Sequence, residues 1–147
     1  SEKKSEMRIV IDTNVLISGI IFGGKPSKII ELLFGKKISV FASPEMVDEY
    51  KRIYGELGER YAKRTHNELN EIINSMNILP SHSHIEACRD PDDNKFIECA
   101  IDNRCIYIVS GDKDLLVLEQ YEDIGILTVS EFLEQYEKKR HKNSTKN

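Results

Sequence analysis

Four acidic residues are placed where they could do chemistry. Asp12 directly follows the apolar run Met7-Arg8-Ile9-Val10-Ile11, and Asp112 closely follows Cys105-Ile106-Tyr107-Ile108-Val109. If both runs are parallel strands of an open α/β sheet, both carboxylates arrive at its carboxyl edge, where such sheets bind ligands. Glu49 lies on the border of a helical arc made by Met46, Val47, Tyr50, Ile53, Tyr54 and Leu57. Asp93 falls near the middle of the arc defined by Phe96, Ile97, Ala100 and Ile101. A carboxylate against a core face costs desolvation unless something compensates. Each acid alone also has a plain structural explanation. Asp12 and Asp112 could cap the helices that follow, Glu49 could be salt-bridged, and Asp90, Pro91 and Asp93 have the form of an N-cap, a first-turn proline and a capping-box acid.

Brought together, four carboxylates would repel one another and raise one another's pKa values. Hard cations relieve that repulsion: Mg²⁺ and Mn²⁺ both favour oxygen ligands. One or two such ions beside a phosphodiester can activate water and stabilise the leaving oxygen. Zinc is disfavoured: Cys88, Cys99 and Cys105 show no CxxC spacing, and His66, His82, His84 and His141 are scattered. The odd number of cysteines, in or beside apolar segments, points to reduced core residues and a cytoplasmic setting. Lys25, Lys28, Lys51, Arg52, Arg89, Lys95 and Lys113 are candidates to track a nucleic-acid backbone. The net charge of −4 weighs against such a partner, but bound cations would reverse the local sign.

The positioning elements follow from apolar patterning. Helices are expected over Asn14 to Phe22, closed by Gly23-Gly24, from Pro26 to Gly35, and from Ser43-Pro44 until Gly55 and Gly58 loosen the end. Further helices are expected from Glu59 to Met76, from Asp90-Pro91 to Asn103, briefly after Asp112, and from Glu131 to about Lys138. Strands are expected at Met7–Ile11, Ile38–Phe41, Cys105–Val109 and Gly125–Val129, with Ile85–Cys88 as an edge strand. Alternating helices and continuously apolar strands predict a central parallel sheet flanked by helices in three layers. The 147 residues suit one domain, here 7–137, followed by a basic tail, 138–147, expected to be disordered. No apolar run suits a membrane helix, and Ser-Glu-Lys-Lys-Ser-Glu does not look like a secretory signal. Neither DxD after the first strand nor GxxxxGK[ST] is present, which disfavours dehalogenase-type phosphatases and P-loop enzymes.

Four segments in order, Ile9-Val10-Ile11-Asp12-Thr13-Asn14, Ser43-Pro44-Glu45 through Glu49, Asp90-Pro91-Asp92-Asp93-Asn94-Lys95-Phe96, and Ser110-Gly111-Asp112-Lys113-Asp114, resemble PIN domains. The similarity runs from Met7 to Tyr136 and is greatest to prokaryotic, VapC-like toxin components of toxin–antitoxin pairs. The resemblance implies a Rossmann-like PIN fold and a Mg²⁺- or Mn²⁺-dependent endoribonuclease, often a homodimer, restrained by an antitoxin protein. It assigns catalysis and metal binding to Asp12, Glu49, Asp93 and Asp112, with Asp114 as a further metal ligand. Asn14 and Ser110 take supporting positions. Two alternatives remain: a non-catalytic PIN-like RNA-binding or scaffold module, and a nuclease acting on single-stranded DNA.

Overall fold

A computed structural model describes residues 7–61 and 66–145. Within them the chain runs β1 (Arg8–Ile11), α1 (Thr13–Ile21), α2 (Gly24–Phe34), β2 (Ser39–Ala42), α3 (Pro44–Tyr61), α4 (His66–Asn74) and β3 (Asn77–Ile78). A 3₁₀ turn (Pro91–Asp93) then leads into α5 (Asn94–Asp102), β4 (Tyr107–Val109), α6 (Lys113–Leu116), β5 (Gln120–Tyr121), β6 (Ile124–Leu127) and α7 (Val129–Thr145). The sheet order is β3-β2-β1-β4-β6-β5. Every pairing is parallel except β5 with β6. This is the α/β architecture, a mostly parallel sheet flanked by helices, that the patterning predicts.

Ile9, Val10, Ile11, Ile108 and Val109 are all fully buried, as strands covered on both faces must be. The chain passes from β1 to β2 and β3 on one side and then crosses through α5 to β4 on the other, so β1 and β4 flank the topological switch point. The Asp12 N–H donates to the Val109 carbonyl at 3.0 Å, fastening the two strand ends. Tyr50, buried in α3, donates its hydroxyl to the Ile11 carbonyl at 2.7 Å and fixes α3 to the same edge.

Several boundaries differ from expectation for identifiable reasons. α3 continues through Gly55 and Gly58 to Tyr61. The expected helix from Glu59 to Met76 is instead the end of α3 and α4, and its residues 62–65 lie outside the described residues. α2 starts at Gly24, two residues before Pro26, because Gly23 and Gly24 adopt φ +74 and +70 and turn the chain directly into the helix. Thr128 and Glu131 form a reciprocal capping box, Glu131 accepting the Thr128 N–H at 2.9 Å, so α7 begins at Val129. α7 then continues to Thr145, so the expected disordered tail is helical as far as residue 145. Its last two residues, 146–147, lie outside the described residues.

Ile85–Cys88 is not a strand. Its N–H groups are accepted by side chains spaced four apart on α5. Asn94 accepts from Ala87 at 3.1 Å and Cys88 at 2.9 Å, Glu98 from Ile85 at 3.0 Å, and Asp102 from His82 at 2.7 Å and Ser83 at 3.0 Å. A helix face thereby replaces a neighbouring strand as the partner of this segment, satisfying its backbone donors. The sheet edge is formed instead by the two-residue β3 beside β2.

Gly19 sets the approach of α1 to α2: a Cβ there would lie 3.0 Å from the Pro26 carbonyl carbon and 3.1 Å from the Ser27 nitrogen. Neither neighbour is a flexible side-chain end, so Gly19→Ala must push the helices apart. Urea unfolding of Gly19→Ala is expected to show a loss of about 1–3 kcal/mol; unchanged stability would show that the helix pair yields freely.

Candidate functional site

The acids enter the site from three directions. Asp12 leaves the end of β1 and caps α1, its Oδ1 accepting from the Val15 N–H at 3.0 Å. Ser110, fully buried after β4, donates its hydroxyl to Asp12 Oδ2 and accepts the Asp112 N–H at 2.9 Å. One hydroxyl therefore ties together the two acids at the switch point. Asp112 caps α6 by accepting the Asp114 N–H at 2.8 Å. Both acids therefore cap helices, where the helix N-terminus favours an anion.

Asp93 ends the 3₁₀ turn and is only 8% exposed. Its Oδ2 is buried without a hydrogen-bond partner. Burial, then the charges of Asp112 and Asp90, push its carboxyl up to about 6, against a partial offset from Lys95. Burial likewise raises Asp12, opposed by its hydrogen bonds to Ser110 and Val15, with Asp112 adding repulsion. Asp112 thus faces both Asp12 and Asp93. Carboxylate oxygens of Asp90, Asp93 and Asp114 lie within 4.8 Å of one another. Asp90 was legible as an N-cap, and it does accept the Asp92 N–H at 3.0 Å. Its membership of the cluster was missed, although its place three residues before Asp93 was a usable signal.

The remaining expected residues fall elsewhere. Asn14 is exposed, whereas its neighbour Thr13 is buried and donates its hydroxyl to Glu49 Oε2. Glu49 Oε1 pairs with Lys95 Nζ at 2.8 Å. Lys95, expected on a surface that tracks a nucleic-acid backbone, is 5% exposed and held inside by Glu49 and Asp92. Lys25 is exposed and donates to the Ser130 hydroxyl, Arg52 pairs with Glu56, and Lys28 and Lys51 are solvated. Lys113 is exposed at the first position of α6, and Arg89, with 85% of its side chain exposed, reaches Asp114 Oδ1 at 3.0 Å. These last two cations border the acids.

A cluster made only of carboxylate oxygens, one of them buried and unpartnered, suits a hard divalent cation such as Mg²⁺ or Mn²⁺. It does not suit zinc: Cys99 and Cys105 are buried elsewhere in the core, and the half-buried Cys88 thiol is pushed up to about 11 by burial and the neighbouring acids. No described helix is long and apolar enough to cross a membrane.

A PIN domain family model matches residues 8–114. Uncharacterized protein MJ1680 of Methanocaldococcus jannaschii is 35% identical over 151 aligned residues, covering 92% of this chain and 96% of its own. The crystal structure of PAE2754 from Pyrobaculum aerophilum covers 88% of this chain and 89% of that one, with a TM-score of 0.57. At 14% identity that similarity is one of fold alone. PIN domains are generally nucleases and generally use divalent metals. Because the family model runs from β1 into α6 and covers well over half of the residues, the chain belongs to the PIN domain family.

Proposed function

We propose that this chain is a Mg²⁺- or Mn²⁺-dependent endoribonuclease. The buried, unpartnered Asp93 Oδ2 among neighbouring carboxylates is the observation that carries this reading. Asp93 would hold the ion together with Asp90 and Asp114, and Asp12 and Asp112 supply further carboxylate oxygens at the same edge. A divalent cation there supplies Lewis-acid charge against a phosphate oxygen and lowers the pKa of bound water.

The chain's own residues do the rest. Ser110 fixes the orientation of Asp12, and the Asp114 N–H fixes that of Asp112. Arg89 and Lys113 present positive charge at the rim. An open cleft of about 410 Å³ is lined by Glu45, Glu86, Asp92 and Glu98 together with His84 and Lys95. RNA as substrate, the toxin role, a restraining antitoxin and a homodimer belong to this proposal through the family resemblance.

Cleavage of a short single-stranded RNA is expected with Mn²⁺, to stop with chelator, and to fall by at least about a hundredfold in Asp93→Asn. Growth arrest on expression is expected to need the same acid. Cleavage that survives both chelator and Asp93→Asn would refute the reading; preference for a single-stranded DNA of the same sequence would reassign the substrate.

Stability offers an independent check. Burial, then the charges of Asp112 and Asp90, raise the folded Asp93 carboxyl to about 6, above its ordinary value of 3.8. Between those values the folded chain binds more protons than the unfolded chain. Stability from this group is therefore present below about 3.8 and is lost as pH rises through about 6. In chelator near neutral pH, Asp93→Asn is expected to melt about 2–4 °C higher than wild type, consistent with relief of roughly 1 kcal/mol. The gain should vanish in acid. Mn²⁺ should stabilise wild type and not the variant. A lower melting temperature for Asp93→Asn in chelator would mean that its structural role outweighs the repulsion.

A further inference from the structure

We infer that Lys95 is a fixed internal cation that takes up the charge of Glu49 and Asp92, so that Glu49 does not ligate the divalent ion. This rests on the metal-dependent reading above and specifies the role of one acid.

An ammonium has three N–H donors and no acceptor. Lys95 Nζ has three acceptors: Glu49 Oε1 at 2.8 Å, the Asp92 carbonyl at 2.7 Å and Asp92 Oδ2 at 3.1 Å. The side chain is 5% exposed and lies against the Phe96 ring, 4.9 Å from its centroid. The three oxygens, two of them on carboxylates, offset the cost of burying its charge. Glu49 is committed in the same way, since Oε2 takes the Thr13 hydroxyl and Oε1 takes Lys95. A divalent ion on Oε1 would lie close to that ammonium, in a shielded place where like charges repel strongly.

The acids therefore divide into two groups. Glu49 and Asp92 share a buried cation supplied by the chain. Among the described residues, the ion pair that reaches Asp90, Asp93 or Asp114 is that of Arg89 with Asp114, which is largely exposed and weakly held.

The test is Mn²⁺ binding, by calorimetry and by the electron paramagnetic resonance of the bound ion, to wild type, Asp93→Asn and Glu49→Gln. The Gln variant keeps an oxygen for Lys95 and an NH₂ for the Thr13 oxygen. Mn²⁺ is expected to bind wild type. Glu49→Gln should keep its affinity within about threefold, and Asp93→Asn should lose at least about tenfold. A tenfold loss in Glu49→Gln would overturn the inference while leaving the metal-dependent reading intact. No Mn²⁺ binding to wild type would overturn that reading itself. If Glu49→Gln does not fold, the paired replacement Lys95→Met with Glu49→Leu removes both charges together, which buried pairs often tolerate. The folded double variant should still bind Mn²⁺, and loss of binding there would overturn the inference.

Discussion

Carboxylates crowd the carboxyl edge of a parallel sheet in this chain, and their mutual repulsion is the constraint that shapes the site. Asp12 and Asp112 arrive there because β1 and β4 are neighbours at the switch point. Asp90 and Asp93 arrive from the turn before α5, and Asp114 from the first turn of α6. Burial raises both Asp12 and Asp93, and Asp112 adds repulsion to each. The fold offsets part of that cost with fixed donors: the Ser110 hydroxyl, the Val15 and Asp114 N–H groups, and the Lys95 ammonium. The residual strain gathers on Asp93, whose second oxygen receives no donor.

The supports for that arrangement are spread widely over the chain. α5 positions the acids of the preceding turn by holding the backbone of residues 82–88 through Asn94, Glu98 and Asp102. Asp102 sits below its ordinary range because, against the cost of burial, Ser83 and His82 donate to it. Tyr50 locks α3 to the end of β1, which brings Glu49 beside Thr13. Local hydrogen bonding in the loop and packing in the core therefore converge on the same few ångströms of sheet edge.

Much of this was legible in the sequence. β1 and β4 read clearly because buried parallel strands are continuously apolar, and an acid after each is a topological signal that needs no distant partner. The helix starts at Ser43-Pro44 and Asp90-Pro91 read clearly because capping is local. What failed depended on contacts between distant segments. Ile85–Cys88 has the residues of an edge strand, and only α5 shows why it is not one. Lys95 reads as a surface charge until Glu49, forty-six positions earlier, is seen beside it. β5 and β3 are two residues each, too short to leave a period. The charged stretch after Lys138 reads as disorder by composition, yet it opens on the good helix formers Lys139 and Arg140 and continues α7, with Glu137 and Arg140 paired one turn apart.

The central claim is that the unpartnered oxygen of Asp93 marks the place of a divalent cation. Anomalous diffraction from crystals soaked in Mn²⁺ tests it most directly. An anomalous peak in contact with Asp93, and away from Glu49, is expected. No peak at Asp93 at saturating Mn²⁺, or ions bound only at other acids, would contradict it.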